Sequence, residues 1–544
     1  ADGRAVHRRE RTTPHLHRLM KIWQRILWTT LALLWIQAIA ALTHPIARVP
    51  ADMWAAFSVD AVLLLALTAI GSVAGWPRVA AHVAAWLLVL SSIFRAASEV
   101  VMELQGRMFE LADCELFYAL FFVWLKDEVD AVRWTWAAVI IAAPLAVIWI
   151  TSRAFRRIAF ESQRSRFAWS ALAICQLLVI GGWVAAARGP NGATWWRPSS
   201  LLQVSDEVIR SIRVWIDPEI VRQPIREQIA DGTRRMNEVP HGMEHLAGID
   251  VHFVVVESYG RFAWRHPDVR PALLANVDRW EAALEASGLD ARTGAIAPAV
   301  IGGASERAHA ELLGGLPVRD RLTWEMLIAS ELIPLSKHMR NAGWHTVEMM
   351  PQMPFHWQAG YDFYGVEQGF AQPELPYEGF VYHFGRIPDQ YGLHRLLTRA
   401  IAPATKPVFS MFVSVSSHAP WSAIPRYVED WQIDEQTFAE DPAQRYPFAY
   451  TDVPHADGLT VAYGDSVNYA LKCAFGFAQQ LRRPSLVVIV GDHQPPISRS
   501  ARPADTSADV PIHVLSNRPG LLARLDKLGF AAGLRLPDEW VSFP

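Results

Sequence analysis

The sequence predicts a membrane-anchored protein in two parts: a domain of five transmembrane helices, then an extracytoplasmic α/β domain with a mainly parallel central sheet. Apolar runs of membrane length occur only in the first third of the 544 residues, and arginine clusters flank them. From about Gly248, apolar β-branched runs alternate with helical segments. A chain this long exceeds what one hydrophobic core usually holds, which agrees with two folding units.

Five apolar runs have the length of a membrane-spanning helix. So many runs with few charges are hard to place inside a soluble domain, and they argue against a cleavable signal peptide. Another apolar stretch, Phe117–Leu125, is too short to span and suits the outer interface. The five predicted spans are Ile26–Thr43, Trp54–Ala74, His82–Val101, Trp134–Ile150 and Ala168–Ala187.

Basic clusters orient these helices. One cluster precedes the first run and one lies between the fourth and fifth, so the positive-inside rule places both in the cytoplasm. The loop after the third run is acidic and suits the outside. We therefore expect a multi-pass protein of a bacterial cytoplasmic membrane with residues 188–544 outside. The clusters are Arg4, Arg8, Arg9, Arg11, Arg18, Lys21 and Arg25, then Arg153, Arg156, Arg157, Arg164 and Arg166.

Three ionisable residues lie within the predicted spans. Asp60 is in the second, and Arg95 and Glu99 are four residues apart on one face of the third. Charged groups at membrane depth are costly and often functional. The simpler interpretation is that Arg95 pairs with Glu99 near the outer headgroups while Asp60 makes a local polar contact.

Composition excludes several classes of protein. A net charge of −3 argues against a nucleic-acid binder, and 51% hydrophobic residues argue against disorder. Three cysteines exclude a disulfide framework and a multi-cysteine metal site. We predict a transmembrane domain over residues 1–188, a connector with a juxtamembrane helix over 189–247, and a catalytic domain over 248–544.

The α/β domain is predicted from individual segments. A continuous apolar run, Asp250–Val256, has the pattern of a buried parallel strand. Further strands and intervening helices imply a sheet with helices on both faces. The other predicted strands are Trp344–Met350, Val408–Val415, Ser485–Val490 and Val510–Leu515, and the helices are Pro271–Ser287, Leu332–Gly343 and Leu459–Leu481.

Polar residues follow three of these strands. Glu257 ends the first, His418 lies in a Ser-Ser-His-Ala-Pro segment, and Asp492 with His493 follows the 485–490 strand. Ligands of open α/β sheets bind beyond the carboxyl ends of strands. Glu257, Asp492 and His493 could therefore converge on one divalent cation with mixed oxygen and nitrogen ligands.

A glycine-rich turn supplies a candidate nucleophile. Ser305 follows Gly302-Gly303-Ala304 at the start of a predicted helix, whose free amides favour a phosphate. A hydroxyl bound to a metal is also easier to deprotonate. The alternatives are that Ser305 is an ordinary helix N-cap, or that Ser258 is the nucleophile.

These motifs, in this order, resemble the alkaline phosphatase/sulfatase superfamily, and more narrowly its membrane-anchored lipoteichoic acid synthase and phosphoglycerol transferase group. The resemblance implies Glu257, Ser305, Asp492 and His493 around one metal ion, most often Mn²⁺, with Mg²⁺ or Zn²⁺ as alternatives. It also implies Ser305 as the nucleophile and His418 as a donor to the substrate phosphate. That group has five spans before an extracytoplasmic α/β domain.

The chain departs from the group at several positions. The nucleophile there is usually threonine, and an acidic residue usually stands where this chain has His309. Trp357 matches a substrate-contacting segment, but Gln352 and Ala359 stand where that segment has aspartate and arginine. We expect Trp357 and His418 to contact the substrate, with headgroup recognition that differs from that of glycerol phosphate.

The resemblance predicts a transferase that moves a phospholipid-derived headgroup, first of all phosphoglycerol, onto a glycan or glycolipid through a phosphoserine intermediate. The alternative is a phosphoethanolamine transferase acting on lipid A or another envelope glycan. The other options are a metal-dependent phosphodiesterase or sulfatase, and a non-catalytic membrane-anchored binding protein.

Overall fold

The computed structural model describes residues 14–41, 57–105, 109, 113, 130–164, 196–197, 200–238, 243–380, 382, 387–421, 423–439, 444–445, 456–498, 505 and 507–537. The chain divides into two compact units. The first comprises Ala1–Met102 and Arg107–Pro218, and the second comprises Glu103–Gly106 and Glu219–Pro544. The domain boundaries at 188 and 247 stay a prediction.

Five helices are described in the first unit. Two contain segments long and apolar enough to cross a membrane, Pro77–Ser98 and Asp130–Glu161, and Asp60–Val73 is a shorter apolar helix. The first predicted span, Ile26–Thr43, lies largely on the helix Pro14–Ala41, which is not among these apolar segments. The predicted fifth span, Ala168–Ala187, and the short segment Phe117–Leu125 fall outside the described residues. The helices are α1 (Pro14–Ala41), α2 (Val59–Val73), α3 (Pro77–Gln105), α4 (Asp130–Arg164) and α5 (Ser200–Ile216).

Asp60 and Arg95 face each other within this unit. Arg95 Nη2 lies 3.9 Å from Asp60 Oδ2, and both side chains are buried. Asp60 Oδ1 also accepts a hydrogen bond of 3.4 Å from the backbone N–H of Leu201, in the first turn of α5. Asp60 therefore makes an ion pair rather than only a local polar contact. The side chain of Glu99 is outside the described structure, so its pairing with Arg95 stays a prediction.

The second unit is built on an eight-stranded sheet. In chain order the strands are β1 (Asp250–Val256), β2 (Asp290–Ile296), β3 (His345–Met349), β4 (Gln368–Phe370), β5 (Val408–Val413), β6 (Ser485–Gly491), β7 (Val510–Ser516) and β8 (Ala531–Ala532). Their order across the sheet is β8-β2-β7-β6-β1-β5-β3-β4. The five strands predicted from sequence are all present, and β2, β4 and β8 are additional.

The sheet is mixed, with the mainly parallel pairing that the sequence predicts and an antiparallel edge that it does not predict. Strands β6, β1, β5, β3 and β4 pair in parallel, whereas β7 pairs antiparallel with both β6 and β2, and β8 pairs antiparallel with β2. A parallel pairing needs a crossover, usually a helix, whereas the described part of the connection from β6 to β7 holds no helix. The chain therefore returns antiparallel, and this region lies beside the parallel strands that carry the predicted site.

Helices cover both faces of the sheet, as predicted. Alternate side chains of β1 point to opposite faces, so Phe253 and Val255 belong to one apolar cluster and Val254 and Val256 to the other. The helices are α6 (Glu219–Asn237), α7 (Phe262–Arg265), α8 (Arg270–Ala286), α9 (Ser305–Gly314), α10 (Arg321–Ile328), α11 (Leu335–Asn341), α12 (Gln358–Tyr364), α13 (Asp389–Leu396) and α14 (Ala456–Gln480).

Short elements complete the second unit. Residues 423–424 and 444–445 form a two-stranded antiparallel pair. Three 3₁₀ segments, Glu244–Leu246, Gln372–Glu374 and Leu521–Leu528, and one π-helical turn, Leu397–Ile401, connect the larger elements.

Candidate metal centre

Two neighbouring parallel strands bring three ligand-type side chains together. Val256 of β1 pairs with Gly491 of β6, so the residues that follow, Glu257 and Asp492, leave the sheet side by side. The ligand atoms of Glu257, Asp492 and His493 all lie within 4.8 Å of one another, and all three side chains are buried. The structure thus assembles the three residues that the sequence predicts as metal ligands.

Hydrogen bonds orient the imidazole of His493. Its Nδ1 lies 2.8 Å from the carbonyl oxygen of Gln494, so Nδ1 is the donor and Nε2 faces the carboxylates. Nε2 is 3.5 Å from Glu257 Oε1 and 3.5 Å from Asp492 Oδ2. A metal-binding histidine characteristically donates its other ring N–H in this way.

The carboxylate of Asp492 is held by one oxygen only. Its Oδ1 accepts backbone N–H groups from Ser258 at 2.8 Å and from His493 at 2.7 Å. Its Oδ2 is buried and has no hydrogen-bond partner among the described residues. A buried carboxylate oxygen without a donor is costly, and a cation beside it would remove that cost.

The electrostatics of the cluster lead to the same conclusion. Burial raises the pKa of Asp492, and the neighbouring charge of Glu257 raises it further. Burial also acts to raise the pKa of Glu257, but His493 and His418 outweigh it and lower that pKa. Burial acts to lower the pKa of His493, yet the two carboxylates raise it. Two buried carboxylates compete for one imidazole, so a divalent cation would supply the missing positive charge.

Ser305 reaches this cluster from the start of α9. Its hydroxyl donates a hydrogen bond of 3.1 Å to Glu257 Oε2 and lies 3.1 Å from His493 Nε2. Ala304, not Ser305, occupies the N-cap position of α9, and its φ of 63° is left-handed. A left-handed alanine is strained, and such strain is often found at functional turns. The side chain of Ser305 is therefore directed at the predicted ligands instead of capping its own helix.

Ser258, the alternative nucleophile, is placed differently. It is 1% exposed, whereas Ser305 is only partly buried. Its hydroxyl donates to Glu257 Oε1 at 2.8 Å, and its carbonyl oxygen accepts a hydrogen bond from the Tyr463 hydroxyl. Ser258 thus holds Glu257 through its hydroxyl and Asp492 through its backbone N–H. Ser305 is the more accessible of the two hydroxyls.

His418 lies close enough to Glu257 to lower the pKa of that carboxyl. The preceding residue, Ser417, ties the loop to the site because its hydroxyl donates to the Glu257 carbonyl oxygen at 2.6 Å. The Nδ1 of His418 lies 2.5 Å from the Ala419 carbonyl oxygen and is therefore the donor.

Asp389 holds the loop that leads to His418, a role that the sequence did not suggest. Its carboxylate accepts hydrogen bonds from the Ser414 hydroxyl at 2.8 Å and from the backbone N–H groups of Val415 at 2.8 Å and Ser416 at 3.2 Å. Its own N–H donates to Ser416 Oγ at 3.1 Å. Burial raises the pKa of Asp389 to about 6, against the effect of these hydrogen bonds.

His309 lies one turn after Ser305 on α9 and is buried. Burial lowers its pKa to about 4, although the nearby Glu257 acts to raise it. His309 is therefore a neutral imidazole where the resembled group has an acidic residue. The ring of Trp357 is stacked on that of Trp324 at 5.4 Å and lies 6.4 Å from that of Tyr364, so the role of Trp357 in substrate contact stays a prediction.

The donor set fits a divalent metal ion. Two carboxylates, one imidazole and an adjacent hydroxyl are oxygen and nitrogen ligands of the kind that bind Mn²⁺, Mg²⁺ or Zn²⁺. The partnerless Asp492 Oδ2 and the direction of His493 Nε2 are the structural signs of that fit.

No protein-family model matches the chain, and no curated protein matches it either. Among solved structures, the chain is similar to the Streptococcus pyogenes phosphoglycerol transferase GacH in complex with sn-glycerol-1-phosphate. That similarity has 16% identity and a TM-score of 0.37, and it covers 54% of this chain and 75% of the other. The lipoteichoic acid synthase LtaP from Listeria monocytogenes is 14% identical with a TM-score of 0.33, covering 49% of this chain and 65% of its own.

A third similarity extends over more of the chain. It is to the integral membrane lipooligosaccharide phosphoethanolamine transferase A (EptA) from Neisseria meningitidis, at 12% identity and a TM-score of 0.43, and it covers 85% of this chain and 81% of that one. At such low identities and TM-scores, function has to be argued from the chemistry of the site.

Proposed function

We propose that this chain is a metal-dependent phosphotransferase that moves the headgroup of a membrane phospholipid onto a glycan or glycolipid. The observation that carries the proposal is the hydroxyl of Ser305, 3.1 Å from both Glu257 Oε2 and His493 Nε2 at the beginning of a helix. Glu257, Asp492, His493 and Ser305 would hold the cation, with Mn²⁺ first among the candidates. A bound divalent cation lowers the pKa of a coordinated hydroxyl and offsets charge on phosphoryl oxygens.

Residues of the site have separate roles in the first half-reaction, in which the headgroup phosphate is transferred to the serine. Ser305 Oγ attacks the phosphorus of the donor phosphodiester, and its proton passes to solvent, because Glu257 has a lowered pKa and is itself a proposed ligand of the cation. The bond between phosphorus and the diacylglycerol oxygen breaks, and diacylglycerol departs with a proton, for which we propose protonated His418 as the donor. The headgroup phosphate remains on Ser305 as a diester. The N-terminal amides of α9 favour the negative charge of this group.

In the second half-reaction an acceptor hydroxyl attacks the same phosphorus. The bond to Ser305 Oγ breaks, the serine regains a proton, and the headgroup phosphate is joined to the acceptor. Phosphoglycerol and phosphoethanolamine are both compatible with this sequence of steps. The convergence of three ligands on an accessible hydroxyl favours a transferase over a non-catalytic binding protein.

The covalent intermediate is a direct test. The purified full-length protein, loaded with Mn²⁺, is incubated with phosphatidylglycerol or phosphatidylethanolamine and examined by intact-mass and peptide mass spectrometry. We expect a headgroup-phosphate adduct on Ser305 from at least one lipid, with release of diacylglycerol. Release of diacylglycerol without any protein adduct would contradict the serine intermediate and favour direct hydrolysis.

We also propose the five-span topology, with the catalytic unit outside the cytoplasmic membrane. Its support is the two long apolar helices, the shorter apolar helix and the arginine clusters. The α5 helix, which follows the last predicted span, exposes Ile209, Ile212, Trp215 and Ile216 along one side, as expected for a juxtamembrane helix in the interface.

Reporter fusions in a bacterial host test this arrangement. A reporter joined after Phe160 should behave as cytoplasmic, and one joined after Gly192 as extracytoplasmic. The two positions flank the fifth predicted span, so they should give opposite signals from alkaline phosphatase and green fluorescent protein reporters. If both reporters report the same side of the membrane, the fifth predicted span does not cross it. If their signals are reversed, the orientation predicted from the arginine clusters is wrong.

A further inference from the structure

The metal ligand Glu257 is followed by a strained turn. Ser258 has a φ of 56°, in the left-handed region that residues other than glycine rarely adopt. Ser258 is 1% exposed, so its backbone N–H and C=O groups need partners within the protein. Strain of this kind persists only where the surrounding structure holds it in place. The contacts of this turn therefore determine how the carboxylate of Glu257 is presented to a cation.

Both backbone groups of Ser258 have partners. Its N–H donates to Asp492 Oδ1 at 2.8 Å, and its carbonyl oxygen accepts a hydrogen bond of 2.9 Å from the Tyr463 hydroxyl. The carbonyl oxygen of Tyr259 also lies against Gly491, where an added Cβ would be 1.8 Å from it. Two of these three partners, Asp492 and Gly491, belong to the end of β6 and the ligand that follows it. Tyr463 is the partner that comes from another part of the chain.

Tyr463 lies on α14 and is fully buried. Its ring is 5.7 Å from that of Phe262 and 5.3 Å from that of Trp421. Burial raises the pKa of its hydroxyl further above the ordinary range of tyrosine, so the group stays protonated and acts as a donor. A buried tyrosine hydroxyl usually has a hydrogen-bond partner, and here that partner is the strained residue next to a metal ligand. The ring fills the core and the hydroxyl holds the turn, so a substitution can separate the two contributions.

The ring of Tyr463 also packs against the loop that carries His418. The indole Nε1 of Trp421 donates to the Ser417 carbonyl oxygen at 2.7 Å, and the Ser417 hydroxyl donates to the Glu257 carbonyl oxygen at 2.6 Å. Tyr463 thus contacts the turn through its hydroxyl and, through the ring of Trp421, a segment that bonds back to Glu257. Phenylalanine in place of Tyr463 would keep this second connection and lose the first.

We infer that Tyr463 is a positioning residue of the metal centre, whose hydroxyl holds Ser258 in the conformation that orients Glu257 and Asp492. Ser258 bonds to Glu257 Oε1 through its hydroxyl and to Asp492 Oδ1 through its N–H. Without the Tyr463 hydroxyl the strained backbone can relax, and both ligands then lose a fixed partner. The inference rests on the proposed phosphotransferase function, because it assumes that the cluster binds a cation.

The affinity for metal tests the inference. The purified full-length wild type and Tyr463→Phe are stripped of metal and titrated with Mn²⁺ by calorimetry, and the melting temperature of each is recorded. Tyr463→Phe should bind Mn²⁺ about 10- to 100-fold more weakly, the usual effect of losing a residue that orients metal ligands. At saturating Mn²⁺ the rate of adduct formation on Ser305 should return toward that of the wild type. A merely structural role would lower the melting temperature and leave the dissociation constant unchanged.

The matched control is Tyr391→Phe, because Tyr391 is also fully buried and its hydroxyl also donates to a backbone carbonyl oxygen, that of Pro376 at 2.9 Å. It should bind Mn²⁺ as the wild type does. Equal dissociation constants for the wild type and Tyr463→Phe, or equal weakening in both variants, would overturn the positioning role and leave the phosphotransferase standing.

The folding of Tyr463→Phe is itself informative. If the variant folds only with excess Mn²⁺, the inference is supported, because the cation then holds the turn that the hydroxyl no longer holds. If it folds neither with nor without Mn²⁺, the role of Tyr463 is structural and the inference is wrong. If the wild type binds none of Mn²⁺, Mg²⁺ and Zn²⁺, the proposed function is refuted and the positioning role with it.

Discussion

Replacing Asp492 by alanine is expected to empty the metal centre and to abolish transfer. The substitution removes a carboxylate whose Oδ2 is buried without a hydrogen-bond partner beside Glu257 and His493, and it also releases the backbone N–H groups of Ser258 and His493. Changing a residue that only orients a ligand typically weakens metal binding about 10- to 100-fold, so losing one of the two charged carboxylate ligands should exceed that. The bound metal, measured by elemental analysis of the purified full-length protein, should fall from one ion per chain to background.

Two further variants make this result specific. Asp492→Asn keeps an oxygen for the two backbone N–H groups but removes the charge, so it should fold and still lose the metal. Asp250→Asn changes another buried aspartate, 3.0 Å from Arg483 at the opposite end of β1, and should retain the metal. Unchanged metal content in Asp492→Ala and Asp492→Asn would refute the assignment.

The ligands could be predicted because each follows an apolar run that is visible in the sequence. The segment Asp250–Val256 is buried at every position, and burial of both faces of a parallel strand produces such a run. The pairing of Val256 with Gly491 was not visible in this way. The register between two strands depends on side-chain packing between distant segments. The sequence therefore predicts that Glu257 lies near Asp492 only from the rule that ligands bind beyond the carboxyl ends of parallel strands.

Other parts of the fold were missed for identifiable reasons. Strand β2 contains Arg292, Thr293 and Gly294, which interrupt any apolar pattern, and it is stabilised by antiparallel pairing with β7. Asp389 begins a short helix without a motif, and its function depends on a loop that is 25 residues away in the chain.

Replacing Ser305 by alanine is expected to eliminate both the covalent intermediate and transfer, while fold and metal are largely kept. Glu257, Asp492 and His493 remain in place, because their supporting hydrogen bonds come from Ser258, His493 and Gln494. Removing a nucleophile typically costs on the order of 10⁴-fold or more in kcat. The readouts are diacylglycerol release from a defined phospholipid, and the adduct by mass spectrometry.

Ser305→Thr and Ser258→Ala separate the chemistry of the hydroxyl from its position. Threonine keeps a hydroxyl at the start of α9, so Ser305→Thr should retain part of the activity and carry the adduct on residue 305. Ser258→Ala removes only the 2.8 Å hydrogen bond to Glu257 Oε1 and one buried hydroxyl, so it should weaken turnover far less than Ser305→Ala. If Ser305→Ala turns over like the wild type while Ser258→Ala is inactive, the nucleophile is Ser258. In that case the left-handed turn at Ala304 would have a structural role only, because α9 would still begin beside the ligands without supplying the nucleophile.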